Sequence, residues 1–430
     1  MEHRRLKSAA PPANLEAAPA CRRQGLQSAG LHSYTGAMSE EEDMQFDSQC
    51  VHAGAVDLSA ETPPLAPPIF QASAFETPTL ELSERALGGE PGLYAYSRVA
   101  NPTVVALERA VATLEGAEAA VGAASGMGAI SATLLSLLGQ GDRLVTTAAL
   151  YGTALRLINS HLARLGIEVA HLPLEEAQAG IPDGTKALYT ETISNPLLQV
   201  ADLPRLAQAA HRAGALLVVD STFATPYHCR PLEHGADIVI HSATKYLGGH
   251  ADLIAGVAAG RAELVQGVHG AVRTFGVPAS PLASWLALRG LRTLHLRMER
   301  SSANAQAVAE WLAKHPKVRS VHYPGLAGHP THQTACRMLR RGFGGMLSFE
   351  VAGGKESVSR FLTGLRAIRF VASLGDVATT VSYPAVTSHR ALTAEGRAAL
   401  GIGAGLIRIS VGIEAVEDII ADLERGLGQL

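Results

Sequence analysis

The sequence predicts an α/β fold, with a large, mostly parallel sheet between helices and a smaller α/β region at the C-terminal end. Three observations predict it. Short apolar runs alternate with stretches of helical spacing between residues 103 and 220. Two neighbouring runs, 215–220 and 237–240, lead straight into polar residues, as strands do where they open on a ligand crevice. After Ala283 the pattern changes to one long helical stretch and then to a second series of strands and helices.

The elements follow in order. Residues 103–114 have helical spacing. A strand is expected over 119–124, and a helix from Gly126 through Leu138. Strands are expected over 143–147, 168–172, 187–191 and 215–220, with helices over 155–165 and 203–213. The runs 237–240 and 253–257, bounded by glycines, complete the large sheet. The long helical stretch carries Trp285, Leu288, Leu291, Leu294 and Met298 and runs to Leu312. Beyond it, strands are expected over 318–322, 346–351 and 406–411, and helices over 332–340, 356–365 and 415–425. Gly426 is a natural stop for the last helix. Residues 372–389 are rich in Ser, Thr and Val and read as a substrate-binding loop.

Composition narrows the function. A chain of 430 residues, 47% hydrophobic, can bury a large core in two domains. A net charge of −3 gives no electrostatic case for nucleic acid or an anionic membrane. No apolar run reaches the length of a membrane span. The four cysteines are scattered and form neither a disulfide framework nor a metal site, which fits a reducing cytoplasm. The 17 histidines include no HExxH and no cluster with metal-ligand spacing, so no metal is expected. Neither a Walker loop nor GxGxxG is present.

The chemistry centres on Lys245, in the stretch Ser242-Ala243-Thr244-Lys245-Tyr246-Leu247-Gly248-Gly249. A lysine can form a Schiff base with a carbonyl cofactor, and the Ser242 and Thr244 hydroxyls suit phosphate oxygens. By itself the stretch also fits a polar surface loop. Asp220 ends the run 215–220 and suits a pyridine nitrogen that must stay protonated; an N-cap role is the ordinary alternative. Ser125-Gly126-Met127 lies between a strand and a helix, where free amides and the helix dipole favour an anion.

These pieces form an ordered set. Tyr96-Ser97-Arg98, Ser125-Gly126-Met127, Tyr151-Gly152, Glu191 to Pro196, Asp220-Ser221-Thr222-Phe223-Ala224-Thr225-Pro226, His241 to Lys245, Ser373-Leu374-Gly375 and Arg408-Ile409-Ser410-Val411-Gly412 resemble the Cys/Met-metabolism family of pyridoxal-phosphate enzymes. The resemblance runs from about Asp47 to the C-terminus. It implies a fold-type I enzyme with a seven-stranded large sheet and pyridoxal 5'-phosphate as cofactor. It implies that Lys245 carries the cofactor and that Tyr96, Arg98, Gly126, Met127, Tyr151, Asn195, Asp220, Ser242 and Thr244 hold it. Tyr151 is implied as the acid for the leaving group, and Ser373, Asn195 and Arg408 as the contacts of the substrate carboxylate. Domain limits follow: an extension over 1–43 (a disordered tail, a mis-placed start or a transit peptide), an oligomer arm over 44–100, a cofactor domain over 101–283 and a linker helix with a substrate domain over 284–430. The resemblance also implies a cytoplasmic homotetramer built from dimers, with Tyr96 and Arg98 acting in the partner's site.

The substrate is read from departures. Cystathionine enzymes of the family place acidic residues where this chain has Ala95 and Ala372, and Asp376 gives the Ser-Leu-Gly-Asp of methionine γ-lyases. These favour elimination at Cγ of methionine or homocysteine. Thr153, where methionine γ-lyases have cysteine, argues for replacement on an O-acylhomoserine, by a cystathionine γ-synthase or a sulfhydrylase, with cystathionine γ-lyase as a further alternative.

Overall fold

The structure, a computed structural model, describes residues 44–54, 62, 64–390 and 392–430, so the expectations for 1–43 lie outside it. The first sheet has seven strands: β1 (Ala119–Ala123), β2 (Arg143–Thr147), β3 (Glu168–Leu172), β4 (Thr185–Glu191), β5 (Leu216–Asp220), β6 (Ile238–His241) and β7 (Gly256–Gly260). Their order is β1-β7-β6-β5-β4-β2-β3, and only β7 runs against its neighbours.

The apolar runs are continuous because both faces of this sheet are covered. Side chains alternate between two cores. Leu188, Leu217, Val219 and Val239 enter one, whereas Tyr189, Val218, Ile238 and Ile240 enter the other. The carboxyl ends of β1, β4, β5 and β6 fall on one edge. Glu191 stands opposite Asp220, and Asp220 opposite Ile240. That edge is where an open α/β sheet binds its ligand.

The second sheet has the order β10-β11-β12-β9-β8, with β8 (Val318–His322), β9 (Met346–Val351), β10 (Arg369–Phe370), β11 (Thr380–Ser382) and β12 (Leu406–Ser410). Strands β10 and β11 are two and three residues long, too short to give a periodic signal; β11 lies inside the expected loop over 372–389 and β10 just before it.

Three helices differ from expectation. The long stretch is two helices, Pro281–Leu291 and Leu294–Leu312, broken at Thr293, whose φ of −118° and ψ of 12° interrupt the helical run. The segment after Tyr151 is a helix over Gly152–Arg156, a wider turn over Leu157–Leu162 and a tight turn over Ala163–Leu165. The last helix runs Val416–Gly428, straight through Gly426. A Cβ at Gly426 would stand 2.7 Å from Cε2 of Phe361, so the glycine serves close packing instead of termination.

No helix among the described residues is long and apolar enough to cross a membrane. No group of three or more His, Cys, Asp or Glu among them could hold a metal ion.

Candidate active site

A cavity of about 580 Å³ opens at the carboxyl edge of the first sheet. The sheet supplies Glu191, Asp220, Ser242, Thr244 and Lys245, the helix Gly126–Leu137 supplies Gly126 and Met127, and the second sheet's side supplies Ser373 and Arg408.

The anion end comes first. Ser125 caps the helix by accepting from Gly128 N–H at 3.0 Å. The amides of Gly126 and Met127 fall in the first turn of the helix, where N–H groups lack intrahelical partners, and both residues line the cavity. Gly126 has to be glycine, since a Cβ there would stand 2.7 Å from Cβ of Ser242. The two halves of the cradle therefore touch. Ser242 N–H donates to Thr222 Oγ1 at 2.9 Å, and Ser242 lines the cavity. The Thr244 hydroxyl donates to Ala255 O and accepts from Ala255 N–H, both at 3.1 Å.

Asp220 sits at the other end and accepts from Thr222 N–H at 3.0 Å. Burial raises its affinity for a proton, and Thr222 and the charge of His241 pull the other way. Glu191, 7% exposed, is pushed well up by burial and by the Asp220 charge. It accepts from Tyr151 N–H at 2.6 Å and so fixes where Tyr151 leaves the sheet edge. The Tyr151 ring is 38% exposed, at the cavity mouth.

Lys245 lies between these ends. Its amine donates to Ser373 Oγ at 2.9 Å. Burial, helped by the Arg408 charge, brings it down to about 8. An amine of that acidity has a substantial neutral, nucleophilic fraction near neutral pH.

Arg408 is 4% exposed. Its Nη1 donates to Asn195 Oδ1 at 2.9 Å and its Nη2 to Ser373 O at 3.4 Å. Nε is buried without a partner. Burial lowers its pKa only to about 10, so it keeps its charge. A buried guanidinium with a donor to spare suits a carboxylate.

The arrangement fits pyridoxal 5'-phosphate. It has an amide cradle for phosphate, a half-buried carboxylate with no ion pair among the described residues to meet a protonated ring nitrogen, and an amine between them. Gly126, Met127, Ser242 and Asp220 would hold the group, with Lys245 linked to it.

Tyr96 and Arg98, expected in a partner's site, are not among the residues around this cavity. Arg98 Nη1 donates to Arg273 O at 3.0 Å and its guanidinium lies 5.6 Å from the Tyr96 ring centre. Asp376 is also absent from the lining, and its carboxylate accepts from Val377 N–H at 2.8 Å. Ala372 and Thr153 do line the cavity. Two residues that sequence reasoning missed are Arg156 and Arg390, exposed guanidiniums in the cavity wall. An exposed arginine is the ordinary state of that residue, so nothing in the sequence singles them out.

The comparisons with known proteins agree with this chemistry. The profile of the family described as "Cys/Met metabolism PLP-dependent enzyme" matches residues 47–428. The O-succinylhomoserine sulfhydrylase of Pseudomonas aeruginosa is 42% identical over 397 residues, covering 91% of this chain and 97% of the relative. The L-methionine gamma-lyase of Fusobacterium nucleatum is 43% identical, covering 88% and 97%. Among solved structures, cystathionine gamma synthase from Xanthomonas oryzae superposes with a TM-score of 0.83 at 40% identity, over 90% of this chain and 98% of that one. The chain therefore belongs to the Cys/Met metabolism family of pyridoxal-phosphate-dependent enzymes.

Proposed function

We propose that this enzyme acts at the γ-carbon of an amino acid whose γ-substituent carries no cation, and that O-succinylhomoserine is the substrate its cavity fits best. The observation that carries the reading is the charge of the cavity wall beyond Arg408. Arg156 and Arg390 line it, both exposed, and neither guanidinium has an ion pair among the described residues. Ala372, where the family resemblance implies an acid in cystathionine enzymes, lines the cavity with no charge. A succinyl carboxylate would find unpaired guanidiniums there; the ammonium of cystathionine would find like charge. The sulfhydrylase named above takes its name from this substrate. Methionine elimination is the second reading, favoured by the uncharged Ala372 wall and the methionine gamma-lyase relative.

The residues take the following roles in either case. Arg408, steadied by Asn195, holds the substrate α-carboxylate, and the Ser373 carbonyl and hydroxyl keep that loop beside Lys245. The Lys245 amine, neutral in part at working pH, takes the proton from Cα, hands it on towards the cofactor side, and, neutral again, takes one from Cβ. The bound cofactor supplies the electron sink that makes loss of these protons feasible. Tyr151, at the mouth and anchored by Glu191, donates a proton to the departing γ-group. Tyr96 and Arg98 act in the cavity of a partner subunit, in a cytoplasmic homotetramer built from dimers.

The test is a substrate panel: O-succinylhomoserine with and without sulfide or L-cysteine, L-methionine and L-cystathionine. The expected result is the highest kcat/KM with O-succinylhomoserine, lost by about tenfold or more in Arg156→Ala or Arg390→Ala while methionine turnover is spared. Turnover of methionine with O-succinylhomoserine inert would overturn the first reading in favour of the second.

A further inference from the structure

A buried guanidinium lies under the Lys245 turn and takes no part in the chemistry above. Arg297 is near the start of the helix Leu294–Leu312 and is 6% exposed. Its Nη1 donates to Tyr246 O at 2.6 Å and its Nη2 to Gly290 O at 2.7 Å, with Leu247 O at 3.5 Å. Its Nε donates to Thr293 Oγ1 at 3.2 Å. The fork thus ties the two residues after Lys245 to the end of the preceding helix.

The packing around it leaves little freedom. Gly249 has φ +74°, and a Cβ there would overlap the Arg297 guanidinium. A Cβ on Gly290 would overlap the carbonyls of Leu247 and Gly248. On the far side, Val377 N–H donates to Gly249 O at 3.0 Å. Gly375, at φ +78°, lies so close that a Cβ would stand 2.7 Å from Tyr246 N. Gly375 is two residues after Ser373, whose hydroxyl receives the Lys245 amine. Guanidinium, lysine turn and substrate loop are therefore stacked in one block.

Burying a guanidinium is costly, and Arg297 has no ion pair among the described residues. Burial brings it down to about 10, with Asp376 among the groups favouring its charge. An apolar side chain would fill the space but leave the carbonyls unpaired. A lysine would keep the charge but not the rigid fork.

We propose that Arg297 is a positioning residue for Lys245: its fork on the Tyr246, Leu247 and Gly290 carbonyls sets the height of the lysine turn against the substrate loop, and so the place of the amine relative to Ser373 and Arg408. The proposal rests on Lys245 as the cofactor-bearing lysine and is independent of which γ-substituent the mouth accepts.

The test uses Arg297→Lys and Arg297→Met in the full chain, with kcat and KM measured on the loaded enzyme. In the cofactor-free protein, the pH at which Lys245 is half-reactive towards an acylating reagent is read by peptide mapping. A displacement of about 1 Å costs on the order of 10²-fold in rate. Arg297→Lys should lower kcat by about that factor, leave KM within about twofold, and move the labelling midpoint towards that of a free lysine. If Arg297→Lys melts earlier yet keeps kcat and the labelling midpoint, Arg297 only holds the fold together and the proposal is overturned. Should Arg297→Met fail to fold, the lysine variant still decides. Labelling and cofactor attachment at a lysine other than Lys245 would instead strike at the site assignment beneath the proposal.

Discussion

Replacing Gly126 by alanine should weaken cofactor binding without weakening the cofactor-free fold in proportion. A Cβ at 126 would stand 2.7 Å from Cβ, 2.8 Å from Oγ and 3.1 Å from Cα of Ser242. Ordinary carbon contacts lie at about 3.5–4.0 Å, so the shortfall is about 1 Å. Because Cβ and Cα are involved, a change of Ser242 rotamer does not relieve it. The helix start and Ser242 have to part, and both are proposed donors to one phosphate. Losing one charge-assisted hydrogen bond costs about 1.5–3 kcal/mol, which is roughly a ten- to hundredfold loss of affinity. Gly128→Ala is the control: its Cβ would meet Ser125 Oγ at 3.4 Å and Ala123 Cβ at 3.7 Å, ordinary contacts. The assay strips the cofactor, then titrates it back by absorbance at equilibrium. Gly126→Ala binding cofactor within about twofold of the unaltered protein would refute the cradle argument, as would an equal loss in Gly128→Ala.

Arg408→Lys should raise KM for every amino-acid substrate, with kcat/KM down by about 10²-fold and cofactor affinity kept, because only the fork serves the carboxylate; steady-state kinetics with a parallel cofactor titration decide it. Lys245 has a folded value near 8 against 10.5 when free, so between those values the unfolded chain holds more protons. Stability of the cofactor-free protein should therefore rise with pH across that window, and urea unfolding of Lys245→Met should lack that rise. Glu108 is the opposite case. Burial raises its carboxyl to about 7, against the Gly122 N–H and the Arg273 charge, so the folded state holds the extra proton and stability falls as pH climbs from 4.5 to 7. Glu108→Gln should remove that fall, worth on the order of 3 kcal/mol, in urea titrations at several pH values.

How far the sequence could be read depended on what kind of signal each residue leaves. Asp220 and Lys245 were legible because each follows a buried apolar run, and a sheet covered on both faces writes such runs plainly. The cradle at Gly126 was legible as a strand, a small-residue turn and a helix start, though its contact with Ser242, 116 positions on, was not. Arg408 was legible as a charge in an apolar strand. Arg297 was not, because a cation in a long helix reads as its solvent face. Only the fold shows that this helix crosses under the Lys245 turn. The grip of Glu191 on Tyr151 N–H joins residues 40 positions apart and has no local signature. Asp376 matched a family motif, yet its carboxylate accepts from Val377 N–H and the residue does not line the cavity.

The most direct measurement is reduction of the loaded enzyme with borohydride, followed by proteolysis and mass spectrometry of the pyridoxyl-bearing peptide. The account predicts one modified residue, Lys245, with labelling abolished in Lys245→Ala and weakened in Gly126→Ala. Modification of a different lysine, or a Lys245→Ala protein that still binds cofactor covalently and turns over substrate, would contradict it.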